Sequence, residues 1–270
     1  MYKEYWGLKE KPFKNTPAPR FLYYSKEYED TFMKLIYTVE EQMGAAMLTG
    51  VFGCGKTVLA HALLKELGSN YKVALISNPS LNSEELLMTI AKQLGAKDLP
   101  LKKTEVLINL LLDAINEILI SNLRDSKGTV IIIDEAHVIE KTEVFEKIRL
   151  LLNFQLEDRF LFTLIFMGQP ELRRKIKNIE PLEQRIAFKC SLSSLSLEDT
   201  KKYIVRRLSV AGRDKPIFAE SAVNLIYKSS DGIPRRINHI CDLSLFVGFD
   251  KKVDIIDEEI VEEAMKELGS

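Results

Sequence analysis

Residues 45–57 read AAMLTGVFGCGKT, and how they are read decides the fold. The run AAMLTG has the length and apolar character of a buried strand. Three glycines, Gly50, Gly53 and Gly55, break the chain at its end, and helix-forming residues resume from Thr57 to Leu67. Residues 50–57 fit G-x-x-x-x-G-K-[ST] at every fixed position, in the strand–turn–helix setting that the pattern requires. Glycines let the backbone curl until successive N–H groups point inward, and the helix start adds its partial positive charge. Such a loop cradles phosphate. The expected binding stretch comprises Gly50, Val51, Phe52, Gly53, Cys54, Gly55, Lys56, Thr57 and Val58. The Lys56 ammonium is expected on the β- and γ-phosphates of ATP, and the Thr57 hydroxyl on Mg²⁺. Cys54 occupies a variable position and reads as a tolerated small residue.

Outward from this loop, a helix is expected at 26–43, with Phe32, Leu35, Ile36, Val39 and Met43 at helical spacing. A second strand is expected at 71–79 and helices at about 83–94 and 104–123. The run TVIIID at 129–134 is unbroken rather than alternating, as in a strand buried on both faces of a parallel sheet. A helix at roughly 141–152, a strand at 160–168 and a short strand at about 186–191 complete the series. Strands separated by helices imply an open parallel α/β sheet. After Ser196 only helical periods occur, at 197–211, 218–229, 234–247 and 257–268. The expected organisation is an N-terminal arm (1–25), an α/β nucleotide-binding domain (26–195) and a small all-helical lid (196–270). The arm holds Tyr5, Trp6, Phe13, Phe21 and Tyr23 among prolines 12, 17 and 19, and is expected to be ordered and packed over the next domain.

Asp134-Glu135-Ala136-His137 spells a helicase box. Asp134, ending the apolar strand, is expected as a carboxylate ligand of Mg²⁺, and Glu135 as the general base that polarises the attacking water. A helicase of that kind needs two RecA-like lobes, and only one phosphate-loop lobe is present. His137 is expected behind the carboxylates or at the surface.

The chain has 270 residues, 46% hydrophobic and 29% charged, with a net charge of -1. That excludes a bulk electrostatic case for nucleic acid and leaves room for a local basic patch. Three scattered cysteines give neither a disulfide frame nor a metal spacing and point to a reduced, cytoplasmic setting. No apolar run approaches the ~20 residues of a membrane span.

Phosphate loop, strand-end DE and helical lid together look like an AAA+ ATPase. The stretches MYKEYWGLKEKPFKNTPAPRFLYYS, LTGVFGCGKT, VALISNPSLNSEELL, IIIDEAHVI, FMGQPELR, LEQRIAFKCSLSSLS and DGIPRRINHICDLSL resemble, in order, those of ExeA-like ATPases, the general secretion pathway protein A family. Related ATPases serve as transposition regulators and origin-recognition-like loaders. The resemblance implies that Asn78 restrains Glu135; a turn former before Pro79 is the alternative. It implies that Gln169 is the sensor near the γ-phosphate and that Arg185 is an arginine finger acting on a neighbouring subunit, with Arg173 and Arg174 as rivals. It implies that Arg235, in the first helical turn after Pro234, is the lid sensor. Arg236 is the neighbouring surface or salt-bridge candidate.

The resemblance thus implies an ATP-hydrolysing homo-oligomeric motor or switch acting on an unidentified protein partner. The alternatives are an ATP-dependent DNA-binding adaptor, with KKYIVRR (201–207) and PRR (234–236) as candidate phosphate contacts, and an occupancy switch with negligible turnover. Secretion-type members continue into a membrane span. This sequence ends at Ser270, so an excised domain and a free-standing member both stay open.

Overall fold

A computed structural model describes residues 2–97, 99 and 105–269. In chain order the elements are α1 (Tyr2–Tyr5), α2 (Lys26–Glu40), β1 (Ala45–Gly50), α3 (Lys56–Leu67), β2 (Tyr71–Ile76), α4 (Ser83–Leu94), α5 (Glu105–Arg124), β3 (Gly128–Ile133), α6 (Thr142–Leu151), β4 (Thr163–Gly168), α7 (Glu171–Lys177), α8 (Glu180–Glu183), β5 (Ile186–Leu192), α9 (Leu197–Val210), α10 (Glu220–Ser230), α11 (Pro234–Asp250) and α12 (Glu258–Gly269). The first residue of the helix expected from 104 lies outside the described residues. Two compact units result. One comprises residues 30–50 and 62–192; the other comprises 1–29, 51–61 and 193–270.

The first unit is built on a five-stranded sheet in the order β2-β3-β4-β1-β5, every pair parallel. Every residue of β1 and β4 is buried, as are the last five of β3, because helices cover both faces. The edge strand β5 alternates in burial instead. Ile131, Ile133, Leu164 and Phe166 pack against Leu87 and Ile90 of α4, Leu111 and Ile115 of α5, and Phe145 and Ile148 of α6. Each such side chain contributes about 1.5–3 kcal/mol on burial. Asn82 caps α4 in a reciprocal capping box with Glu85, and Gly95 ends it at φ 109°. The strand expected from 160 begins only at Thr163. Phe162 is buried without belonging to it.

Because the strands are parallel, their C-terminal ends share one edge. Thr49 pairs with Gly168, Ile133 with Phe166, and Ile76 with Ile133. Gly50, Asp134 and Gln169 lie at that edge, where open α/β sheets bind ligands.

The second unit is helical. Helices α9–α12 enclose Ile204, Leu208, Ile226, Ile237, Cys241, Leu245 and Ile256. Trp6, Phe13 and Phe21 are buried in the same core. Here the structure departs from the sequence reading, which laid the arm over the domain next to it in the chain. Its aromatics are part of the core of the C-terminal helices instead. Trp6 Nε1 donates to the Leu245 carbonyl at 2.9 Å, and Tyr2 donates to Asp242 at 2.5 Å. Arg207, 6% exposed, locks the arm in place. Its guanidinium donates to the carbonyls of Pro12 (2.6 Å) and Lys14 (3.0 Å) and to the Tyr203 hydroxyl (2.6 Å), and it lies 4.9 Å from the Phe21 ring centre. The basic cluster KKYIVRR, offered above as a candidate phosphate contact, therefore contains a buried structural arginine.

Candidate functional site

In the helical unit the loop after β1 curls through positive φ at Gly53 (85°) and Gly55 (108°) and runs directly into α3. Lys56 is 4% exposed, and its Nζ donates to the Val51 carbonyl at 3.1 Å, so the ammonium is drawn into the loop's own concavity. The Tyr28 hydroxyl donates to the Gly55 carbonyl at 3.3 Å. Cys54 is buried, and burial pushes its thiol above the ordinary value against the lowering effect of Lys56. That suits a packing role.

Arg235 reaches the same loop. Asp231 and Gly232 turn the chain through positive φ, and Pro234 opens α11, so Arg235 falls in the first turn. Its N–H lies 3.3 Å from the Gly53 carbonyl, and its guanidinium lies 4.7 Å from the Phe52 ring centre. Arg236 turns away into an exposed pair with Asp231 at 2.7 Å. Beside Gly55 and Val58 opens a mostly apolar cavity walled by Phe21, Tyr23, Tyr28 and Pro234.

In the sheet unit, Asp134 is 3% exposed at the end of β3. Its N–H donates to the Ile76 carbonyl at 2.9 Å, and its carboxylate accepts from the Glu135 N–H at 2.8 Å. Glu135 itself takes a left-handed conformation, φ 53° and ψ 28°. Non-glycine residues rarely adopt it, and such strain concentrates at functional positions. The turn carries His137 against the end of β4: its Nε2 lies 2.9 Å from Gln169 Nε2, and its Nδ1 lies 3.6 Å from Glu135 Oε2. Lys175 of α7 fastens the turn by donating to the carbonyls of His137 (2.5 Å) and Ile139 (2.7 Å).

Two side chains of the expected site, Glu135 and Gln169, are thus brought into one group with His137, which stands between them. Asn78 has its side-chain carbonyl occupied in a local turn, accepting from the Ser80 N–H at 3.3 Å. Arg185 is half-buried and donates to the Leu152 carbonyl just past α6 at 2.6 Å. Arg173 and Arg174 are exposed on α7. Of the two places the sequence offered His137, behind the carboxylates or at the surface, the structure shows the first; its contact with Gln169 was not legible, because it spans two strands.

A phosphate-type loop after the first strand, carboxylates at the end of β3 and four helices after Ser196 define a P-loop NTPase of the AAA+ class, and the chain belongs to the AAA-domain family, whose model matches residues 39–176. In sequence it is similar to General secretion pathway protein A of Aeromonas hydrophila, at 36% identity over 252 residues that cover 92% of this chain and 45% of that one. The chain spans less than half the length of the curated relatives it matches. In fold it is similar to the Aeropyrum pernix ORC2 protein, solved in ADPNP–ADP complexes, with TM-score 0.71, 18% identity and coverage of 96% of this chain and 71% of that one. It is also similar to Drosophila ORC bound to DNA, with TM-score 0.69, 16% identity and coverage of 97% and 65%. Among the described residues, no helix is long and apolar enough to cross a membrane.

Proposed function

We propose that the protein binds and hydrolyses ATP and works as an oligomeric motor or switch on a macromolecular partner. The observation that carries this reading is the loop from Val51 to Thr57. Its positive-φ glycines and inward Lys56 are what a triphosphate requires, and they occur in a chain of the AAA family. In this reading the amides of residues 50–58 hold the phosphates, and the aromatic cavity beside Gly55 takes the base. Glu135 orients and deprotonates the attacking water, Gln169 senses the γ-phosphate, and Arg235 reports its loss to the helical region. Asn78 restrains Glu135. Arg185 serves a neighbouring subunit, which requires it to exchange its bond to Leu152 for one across an interface.

The metal this chemistry implies is Mg²⁺. The Thr57 hydroxyl and the buried Asp134 carboxylate are hard oxygen donors of the kind it prefers. Among the described residues, no three His, Cys, Asp or Glu side chains gather into a metal cage of their own. That suits an ion completed by substrate phosphates and water. When bound, Mg²⁺ would neutralise charge on the β- and γ-phosphates.

The domain division that serves this reading is an arm at 1–25, a nucleotide-binding domain at 26–195 and a lid at 196–270. Three free, buried cysteines support a cytoplasmic location. The DNA-adaptor alternative draws on the likeness to DNA-bound ORC. It gains little from the basic clusters first nominated for it. Lys201 and Lys202 are paired with Glu220 and Glu198, Arg207 is buried, and Arg236 is paired with Asp231.

One experiment separates the readings. The purified chain is sized with ADP and with a slowly hydrolysed ATP analogue, with and without duplex DNA, alongside a phosphate-release assay. Growth with the analogue alone supports the self-assembling motor. Growth only with DNA, together with an affinity that falls steeply with salt, supports the adaptor. Absence of phosphate release with Mg²⁺ present overturns the hydrolysis reading.

A further inference from the structure

His137 carries a half-buried imidazole that neither proposed role of its neighbours requires. Its side chain is 13% exposed, and its Nδ1 is fully buried without a hydrogen-bond partner. Buried polar atoms are nearly always satisfied, so an orphan calls for a reason. The atom facing it is Glu135 Oε2, at 3.6 Å, just beyond bonding distance. On the far side of the ring, Nε2 lies 2.9 Å from the Gln169 amide nitrogen.

Both contacts select one tautomer. An amide nitrogen donates and does not accept, so Nε2 must offer its lone pair to Gln169. The single ring proton of neutral histidine then sits on Nδ1, directed at the Glu135 carboxylate. Were the Gln169 amide reversed, Nε2 would carry the proton, and Nδ1 would turn a bare lone pair on a carboxylate. The orientation of Gln169 and the comfort of Glu135 are therefore linked through the ring.

The backbone is shaped to hold this arrangement. A Cβ at Gly168 would stand 3.1 Å from the His137 main-chain nitrogen and 3.3 Å from Nδ1, and Lys175 pins the carbonyls of His137 and Ile139. We infer that His137 is a positioning residue for ATP hydrolysis, transmitting the orientation of Gln169 to Glu135 through its Nδ1–H. The inference rests on the hydrolysis reading above. Closing the gap to Oε2 into a hydrogen bond fixes the carboxylate; turning Gln169 away releases it.

The test is a double-mutant cycle on ATP turnover, with nucleotide affinity measured in parallel by titration of a fluorescent ATP analogue. His137→Ala is expected to lower kcat by about tenfold or more while the affinity stays within about twofold. Gln169→Ala is expected to lower kcat as well, and the double variant to be no slower than the worse single one. His137→Asn, which keeps a donor near the Nδ1 position, is expected to recover part of kcat and to respond less to loss of Gln169 than the wild type does. It also serves if His137→Ala fails to fold. Single effects that multiply in the double variant, or a loss of affinity with kcat unchanged, overturn the inference while leaving the hydrolysis reading intact. A wild-type chain that turns over no ATP overturns that reading, and this inference with it.

Discussion

Arg235 and Gly53 lie in contact: the arginine N–H stands 3.3 Å from the glycine carbonyl, and a Cβ on Gly53 would approach Arg235 Cβ to 2.8 Å. The start of α11 therefore seats on the phosphate-type loop only because position 53 has no side chain and turns through φ 85°. Gly53→Ala meets both the conformational strain, about 1–3 kcal/mol, and the clash. ATP affinity is expected to fall by about tenfold or more. Arg235→Ala leaves the loop's own geometry alone and is expected to reduce turnover more than affinity. Titration of a fluorescent nucleotide beside a phosphate-release assay separates the two, and equal losses of affinity in both variants would refute the distinction.

Glu135→Gln preserves shape and removes the base. Turnover is expected to fall by about 100-fold or more while ATP still binds. The same variant should accumulate whatever assembled state ATP favours, which light scattering would register. Loss of binding in step with turnover would instead mark Glu135 as a structural residue.

Arg207→Ala leaves the Pro12 and Lys14 carbonyls and the Tyr203 hydroxyl without their donor. At about 1–3 kcal/mol for an abandoned buried group, of which some regain water, a loss of about 2–4 kcal/mol is expected in chemical denaturation. Arg207→Lys should recover little, since an ammonium cannot reproduce the planar fork. The single tryptophan, Trp6, is 2% exposed in the same core. Its emission should shift to the red in the alanine variant well before the sheet unit loses its circular dichroism.

All three cysteines are buried, and burial pushes each thiol above its ordinary value. Below the ordinary thiol pKa of about 8.5 the thiol is neutral in both the folded and the unfolded chain, and its contribution does not change with pH. The unfolded chain ionises first and gains from it, so the buried thiols cost stability above about pH 8.5. Alkylation by iodoacetamide at pH 7.5 is expected to be slow in the native protein, fast once denaturant is added, and faster natively above about pH 9. Mass spectrometry of Cys54 reads this directly; rapid native labelling at neutral pH would contradict the packing role.

The sheet was legible because β1, β3 and β4 are buried on both faces, which leaves unbroken apolar runs, whereas β5 betrays its edge position by alternating. The loop at 50–57 was legible because its chemistry needs fixed residue types at fixed spacing. Helices α7 and α8, of 7 and 4 residues, were not, since neither completes enough turns to show a period. The destination of Trp6 was equally hidden. Its aromatic character announces burial, but its hydrogen-bond partner stands 239 positions away, and no local pattern encodes that. The contact between His137 and Gln169 was hidden for the same reason: the two are remote in sequence and adjacent only once β3 and β4 pair.

That separation of 239 positions between Trp6 and Leu245 also has a consequence in time. A ribosome adding roughly 5–20 residues per second needs on the order of tens of seconds to deliver α11 after Trp6 emerges. Meanwhile every strand of the sheet has been synthesised and can pair, while Trp6 waits unburied. The nascent chain thus keeps the arm's aromatics uncovered until α11 arrives, which makes them a natural point of capture for a chaperone during synthesis.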